Sequence, residues 1–214
     1  MFELFLKGIG ETLLMTFASG FFGFLAGLPL GVTLFITREG QIRENRPVNV
    51  SLSAIVNVFR AIPFIILIVW MIPFTRFVAG TSIGVWAALV PLSVGAAPFI
   101  ARMVENSLLE VPGGLVEASR AMGATPLQII CKVLIPEALP SLVNCVTITL
   151  ITLTGYSAMG GAVGAGGLGQ IGYQYGYVGY DMATMNIVLG LLVLLVFGIQ
   201  AAGNRMSKKM DHRN

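Results

Sequence analysis

Residues 184–203 read TMNIVLGLLVLLVFGIQAAG and contain no charged side chain. A helix of about 20 apolar residues is long enough to cross the hydrocarbon core of a bilayer, which is about 30 Å thick. In such a core every backbone N–H and C=O group must be hydrogen-bonded within the protein, and a single segment achieves this only as a helix. This stretch therefore predicts a membrane-spanning helix.

The rest of the chain has the same character. Hydrophobic residues make up 56% of its 214 residues and charged residues 11%, whereas soluble domains average about 25% charged residues. The composition predicts an all-α integral membrane protein. Five transmembrane helices are predicted, at about residues 12–37, 52–74, 81–101, 137–159 and 184–203.

The positively charged residues are distributed unequally between the two ends of these spans. Lys and Arg concentrate in cytoplasmic loops, and here most of them follow spans one, three and five, whereas the opposite loops contain only Lys7 and Arg76. This asymmetry predicts an N-terminus outside the cell and a C-terminus in the cytoplasm. No basic stripe with interleaved aromatic residues is present, so nucleic acid is not an expected partner. The residues on the predicted cytoplasmic side are Arg38, Arg43, Arg46, Arg102, Arg120, Lys132, Arg205, Lys208, Lys209 and Arg213.

A glycine-rich stretch, GGAVGAGGLGQIGYQYGYVGY at residues 160–180, precedes the last span. Gly164, Gly166 and Gly169 have the G-x-G-x-x-G spacing of a dinucleotide-binding turn, but that turn requires a strand before it and a helix after it. Between two predicted membrane helices the dinucleotide interpretation fails. Two interpretations stay open: an interfacial re-entrant loop packed on small residues, or an outer gate at Gly166 and Gly167.

The predicted cytoplasmic segment between spans three and four is much longer than the usual connection of a few residues. Its local signals predict two short helices. The first covers about 115–122 and ends before Gly123. The second begins at Pro126, with Thr125 as its N-cap and Gln128 as the reciprocal capping residue.

This segment suggests two roles. Pro136 and Pro140 are expected to separate its second helix from span four. With Glu117 and Arg120 three residues apart on one helix face, the pair of helices is either a rigid knob for another protein or an ordinary solvated elbow. The pattern alone leaves both open.

A resemblance favours the knob. Glu117-Ala118-Ser119, three residues, Gly123, nine residues and then Val-Leu-Ile-Pro at 133–136 resembles the EAA loop of permease subunits of bacterial ABC importers. The usual form is EAA, three residues, Gly, nine residues and I-x-L-P, so Ser119 replaces the second alanine. Across nearly the whole chain the sequence is similar to the permease subunits of methionine ABC importers. The similar stretches include NVFRAIPFIILIVWMIPFTR (57–76), AAPFIARMVENSLLEVP (96–112) and YSAMGGAVGAGGLGQIGYQYGY (156–177).

The resemblance implies an architecture and a set of partners. Residues 1–214 would form a single ABC importer transmembrane domain with a cytoplasmic coupling helix in the loop at about 110–136. Two copies would form a homodimer in the bacterial inner membrane, with two cytoplasmic ATP-binding cassette subunits and an external substrate-binding lipoprotein. The coupling contacts would be Glu117, Ala118, Ser119, Arg120 and Gly123.

The resemblance also implies a division of chemistry. The chain has no G-x-x-x-x-G-K-[ST] phosphate loop, so it is expected to bind no cofactor and to be no enzyme, while the partner subunit uses ATP and Mg. The cargo would be methionine in its L and D forms or derivatives. Another small amino acid is the alternative.

Polar residues within the spans are the candidates for internal contacts. Arg60 lies inside span two, where a charge is costly, and is expected to pair with Glu105 or Glu110, with contact to the substrate as the alternative. In span four a polar stripe either packs against neighbouring helices or lines a pathway. The stripe contains Ser141, Asn144, Thr147 and Thr154, with Ser157 nearby, and Met159, Gly166 and Gly167 complete the pathway or gate candidates.

Three rival functions have less support. A stand-alone channel or secondary transporter usually has acidic residues or histidine inside its spans, but Asp181 lies outside them and the sole histidine, His212, lies in the tail. An intramembrane hydrolase would need a base beside Ser157, and none is within the spans. No His/Cys/carboxylate cluster has metal-ligand spacing, so neither a catalytic residue nor a metal site is predicted.

Overall fold

The computed structural model describes residues 1–210, and within them it contains helices and no strand. Arg213 and His212 lie outside the described residues. Four helices are long and apolar enough to cross a membrane: α1 (Phe2–Ile36), α5 (Val85–Leu109), α9 (Leu139–Gly161) and α11 (Met182–Met210). The shorter helices are α2 (Arg46–Ala61), α3 (Phe64–Trp70), α4 (Ile72–Ala79), α6 (Gly113–Ala121), α7 (Pro126–Ile129), α8 (Ile135–Glu137) and α10 (Gly167–Ile171), with π-helical segments at Ile130–Leu134 and Gly172–Val178.

The second predicted span is not one continuous helix. The segment predicted over 52–74 is strongly bent, because α2 and α3 meet at an angle of 98°. Pro63 has no N–H to donate and disfavours helical geometry in the residue before it, and Ile62 is extended with ψ of 122°. Counting this bent pair as one span, the described chain contains up to five.

The first helix begins well before its predicted start at residue 12. Glu3, Lys7 and Glu11 interrupt the apolar run in the sequence, but their four-residue spacing places them on one face of the helix. Lys7 Nζ lies 3.7 Å from a Glu11 carboxylate oxygen. Residues on another face of the same turns, among them Phe5 and Ile9, pack against the buried Leu168, Ile171 and Val188.

The directions of the long helices follow from their contacts. Along α1, Gly23, Gly27 and Gly31 lie beside Ala96, Ile100 and Val104 in the same order, so α1 and α5 are parallel. The chain must therefore return between them, and α2–α4 make this return. In contrast, Thr16 lies beside Thr154 and Gly20 beside Leu150, so α9 is antiparallel to α1. Gly203 beside Thr147 and Ser207 beside Pro140 make α11 antiparallel to α9.

At the contact between α1 and α5, glycine backbone on α1 lies directly against carbonyl oxygens and side chains of α5. A Cβ atom added at Gly31 would lie 2.5 Å from the carbonyl oxygen of Ala101, and one added at Gly27 would lie 2.7 Å from Ile100 Cβ. Small residues at every fourth position let membrane helices approach this closely. This glycine seam (Gly23, Gly27 and Gly31) was not predicted, although its four-residue spacing is visible in the sequence.

Asp181 caps the first turn of α11. Its carboxylate accepts hydrogen bonds from the backbone N–H groups of Ala183 and Thr184, at 3.0 and 3.2 Å, and from Thr184 Oγ1 at 2.6 Å. The hydrogen bonds from Thr184 lower the pKa of this carboxyl group from its ordinary value. The ionised cap therefore stabilises the helix start at neutral pH.

We expect Asp181→Ala to accelerate hydrogen exchange of the Ala183 and Thr184 amides at neutral pH. Because the folded-state pKa is lowered, the stabilisation is complete above the ordinary carboxyl pKa of about 3.9 and is lost as pH falls through the lowered value. The difference between the variant and the native chain should therefore disappear in strong acid, once intrinsic exchange rates are corrected for pH. An equal difference at both pH values would contradict an ionised cap.

Candidate coupling and transport sites

Helix α6 is the first of the two predicted short helices, and its existence is confirmed. It begins after Pro112 and covers Gly113–Ala121, close to the expected 115–122. Gly123 follows with a φ of +80°, a conformation that favours glycine. The backbone N–H of Ala124 donates to the carbonyl of Ser119 at 3.1 Å, so this carbonyl in the last turn of the helix has a hydrogen-bond partner.

The predicted start of the second helix is also confirmed. Thr125 Oγ1 accepts a hydrogen bond from the Gln128 N–H, and Gln128 Oε1 accepts one from the Thr125 N–H at 2.8 Å, which is the reciprocal capping box. The expected break is confirmed at Ala138, between Pro136 and Pro140, where a turn residue separates α8 from α9. The π-helical segment Ile130–Leu134 leads directly into α8. Its wider turn tolerates Pro136, which has no N–H group to donate.

The two short helices form an exposed projection beyond the ends of α5 and α9. Val116 and Ser119 are buried on its inner face, and Ser119 Oγ donates to the carbonyl of Leu115 at 2.7 Å. Glu117, Ala118, Arg120 and Gly123 are exposed. Large apolar side chains next to them are exposed too, with Met122 at 81% and Leu127 at 70%. Exposed large apolar side chains next to charged ones are typical of surfaces that contact another protein.

The predicted Arg60–Glu105 pair is not formed. Glu105 is buried, and one of its carboxylate oxygens accepts a hydrogen bond from Arg102 Nη1 at 2.6 Å, while the other lies 4.0 Å from Arg38 Nη1. Arg102 is three residues earlier on the same helix, so it can reach Glu105 without a contact between different helices. Arg102 also donates to Asn57 Oδ1 at 2.9 Å, which ties α5 to α2. Neither Glu105 nor Glu110 pairs with Arg60 among residues 1–210.

We expect Glu105→Ala to destabilise the permease by about 1.5–3 kcal/mol, because it removes the charged acceptor of the partly buried Arg102. The midpoint of thermal unfolding in detergent measures this loss. Arg38→Gln is the matched control. Arg38 is half exposed and lies at the limit of ion-pair distance, so its loss should cost less than about 1 kcal/mol. Equal effects of the two changes would contradict the dominance of Arg102.

The polar stripe of span four divides between two faces of α9. Thr147 and Thr154 are buried and donate to the carbonyls of Val143 and Leu150, both at 2.9 Å. Ser157 is buried as well, and Ser141 donates to Ser107 on α5 at 3.1 Å. Asn144 and Met159 are exposed instead. These two, with Ile148, Thr152 and Gly155, lie within one narrow sector of the helix.

The glycine-rich turn contains a short helix, α10, whose start is held by α1. Gly166 and Gly167 have φ of +95° and +75°. The Gly167 N–H donates to Glu11 at 2.7 Å, and the Leu168 N–H donates to Thr12 Oγ1 at 2.9 Å. Small residues let α10 pack directly on the end of α9, because a Cβ atom at Gly161 would collide with the backbone of Gln170. The packing on small residues was predicted, whereas the re-entrant path and the outer gate stay predictions.

The long apolar helices define the class of an integral membrane protein. The chain belongs to the family described as "Binding-protein-dependent transport system inner membrane component", which matches residues 12–209. It is therefore a multi-pass protein of the inner membrane.

Named relatives and solved structures are more specific. The chain is 72% identical, over 161 residues covering 75% of it and 74% of the relative, to the D-methionine transport system permease protein MetI of Salmonella typhimurium. It is 51% identical to the probable D-methionine transport system permease protein MetI of Vibrio cholerae, covering 99% and 94% of the two chains. The fold matches a chain of the inward-facing MetNI methionine ABC transporter, in its native crystal form, with a TM-score of 0.98 and 69% identity over 99% and 98% of the chains.

Proposed function

We propose that this chain is the permease subunit of an ATP-driven methionine importer, and that residues 1–214 form its single transmembrane domain. The observation that carries the proposal is the agreement of fold and sequence with the methionine transporter chain, at a TM-score of 0.98 and 69% identity. The exposed projection formed by α6 and α7 adds a structural reason, because a transport subunit without its own ATPase must receive motion from another protein.

The partners follow from that role. The chain has no Walker-type phosphate loop, so two ATP-binding cassette subunits would bind ATP and Mg and drive the cycle. Two copies of the permease would form the passage. An external substrate-binding lipoprotein would deliver methionine, in its L and D forms or derivatives, to the outer face.

The topology that fits this assembly has five crossings. Parallel α1 and α5, with α9 antiparallel to both, require a return through α2–α4, which supports five passes. The N-terminus then lies outside and the C-terminus in the cytoplasm. The projection of α6 and α7 lies at the same end of the bundle as Arg38 and Arg102, which is the cytoplasmic end under the positive-inside rule.

The proposed site residues have two roles. Glu117, Ala118, Ser119, Arg120 and Gly123 form the coupling helix and its end, with Ser119 acting through its buried hydrogen bond rather than by contact. Asn144 and Met159 border the pathway because they lie on the exposed face of α9, whereas the burial of Thr147 and Thr154 favours packing. Gly166 and Gly167 would shape the outer gate through backbone conformations that other residues rarely adopt.

The test is to purify the tagged chain in mild detergent from cells that express its neighbouring genes and to measure the stoichiometry of the complex. We expect an ATPase subunit in equal amount and, after reconstitution with the binding protein, ATP hydrolysis stimulated by methionine. Stimulation by a different amino acid would correct the cargo. A chain that purifies alone and conducts solute without ATP would overturn the proposal.

A further inference from the structure

Arg60 lies at the break between α2 and α3. It lies in the last turn of α2, two residues before Ile62. The chain then turns by 98° at Ile62–Pro63, between α2 and α3. Just after the break, the Phe64 ring lies against the Gly95 backbone, which is near the middle of α5. The break is therefore level with the middle of a membrane-spanning helix.

A charge at that depth needs a partner or water. The predicted partner, Glu105, is engaged by Arg102 and Arg38, and Asn57, one turn before Arg60, accepts from Arg102. None of the ion pairs described among residues 1–210 involves Arg60. Its side chain is exposed rather than buried, so its donors are available to a ligand.

Arg60 lines a cavity of about 110 Å³. The cavity is larger than the ~30 Å³ that one water molecule occupies in the liquid, and it holds a carboxylate with its α-carbon rather than a whole amino acid. The stacked rings of Phe64 and Tyr156, 4.3 Å apart, stand in its wall. The Arg60 cavity is lined chiefly by Arg60, Phe59, Phe64, Gly95, Phe99 and Tyr156.

We propose that the Arg60 cavity binds the α-carboxylate of the transported amino acid as it passes through the permease. The planar guanidinium binds a carboxylate through two parallel hydrogen bonds. The surrounding rings suit the side chain, since a thioether sulfur makes favourable contacts with aromatic edges. Broken helices near the membrane midplane form substrate sites in other transporters for the same reason, namely that they expose polar groups at that depth. The inference rests on the proposed function and deepens it.

A lipid phosphate shares the chemistry of a carboxylate, but the depth of the cavity favours the substrate. Headgroups lie at the membrane surface, half of the ~30 Å hydrocarbon thickness from the midplane. The cavity is also rimmed by aromatic rings on four helices, α2, α3, α5 and α9, rather than by further cations. We therefore assign the site to the amino acid.

The experiment is photolabelling of the intact permease–ATPase complex in liposomes with a diazirine analogue of methionine, followed by peptide mass spectrometry. We expect adducts on peptides that contain Phe59, Phe64, Phe99 or Tyr156, and we expect excess methionine to compete with them. Arg60→Gln should reduce this labelling about tenfold or more, as the loss of a charge-assisted pair implies. Arg60→Lys, which keeps the charge, should retain part of it.

Arg76→Gln is the matched control. Arg76 is an exposed arginine on α4 outside the cavity, so its variant should label like the native chain. Labelling that avoids the cavity peptides, or is unchanged in Arg60→Gln, would overturn the proposal. So would labelling that falls in Arg60→Gln only because the two permeases separate, since Arg60 would then pair with an acidic group of the second copy. Competition by anionic lipid but not by methionine would assign the site to lipid and overturn it as well.

The failure of this inference is distinguishable from failure of the proposed function. Co-purification of the ATPase and basal ATP hydrolysis do not depend on the Arg60 cavity. If both persist in the native complex while cavity labelling is absent, the importer assignment stands and only the carboxylate site is wrong.

Discussion

Gly31→Leu is expected to abolish accumulation of folded permease. A Cβ atom at this position would lie 2.5 Å from the carbonyl oxygen of Ala101 and 2.6 Å from Val104 Cβ. Neither atom belongs to the end of a flexible side chain, so α1 and α5 would have to separate. Overpacking a core costs about 1–3 kcal/mol where neighbours can shift, and the cost should be larger where backbone is the obstacle. The measurement is the yield of monodisperse protein and its thermal unfolding midpoint in detergent.

Gly190→Leu provides the control for Gly31→Leu. Both positions are glycines inside long helices, but no atom lies within 4 Å of a Cβ added at Gly190. Leucine is also the better helix former, by close to 1 kcal/mol per residue. The control should therefore accumulate normally and unfold at the same or a higher temperature. A folded Gly31→Leu variant of native stability would show that the two backbones do not touch.

Glu117→Arg is expected to reduce methionine uptake to background while leaving the permease folded. Glu117 is exposed on α6, so the change removes no internal contact. In the proposed complex it would place a cation where the ATPase groove accepts an anion, and like-charge contacts across an interface cost several kcal/mol. The readouts are ATPase co-purification, uptake in liposomes and the thermal unfolding midpoint of the permease alone.

Glu39→Arg is the charge-matched control. Glu39 is exposed in the loop after α1, at the same end of the bundle as α6, and its substitution changes the net charge equally. It should leave co-purification and uptake intact. If both variants lose uptake equally, the effect comes from net charge at this end of the molecule, and the coupling role of α6 is wrong.

The sequence predicted well what depends on neighbours in the chain. Thr125 and Gln128 cap each other across three residues, and Gly123 ends α6, so local spacing contains all the information that these features need. Apolar run length likewise located α5, α9 and α11. The start of α1 was placed too late because Glu3, Lys7 and Glu11 were counted as charges without regard to their shared helix face.

Features that depend on tertiary approach were harder to predict. Arg60 was predicted as the partner of Glu105 from its depth in the membrane. Arg102 forms the ion pair instead, because it lies three residues away on the same helix. The 98° turn at Pro63 exceeds the kink that proline alone implies. The division of the α9 stripe into buried and exposed faces required knowledge of which neighbours cover Thr147 and Thr154.

The glycine seam also governs how the molecule can move. Side chains on both sides of an ordinary helix interface change rotamer to let helices slide, but α1 contributes no side chain at Gly27 and Gly31, which lie directly against the carbonyls of Ala97 and Ala101 and against the branched side chains of Ile100 and Val104. Close-packed contacts of this kind transmit displacement rather than absorb it. We therefore expect the two helices to move as one rigid unit, so that a displacement at the end where Arg38 and Arg102 meet on Glu105 is carried to the opposite end. We therefore expect the permease to flex at the interruption at Ile62–Pro63.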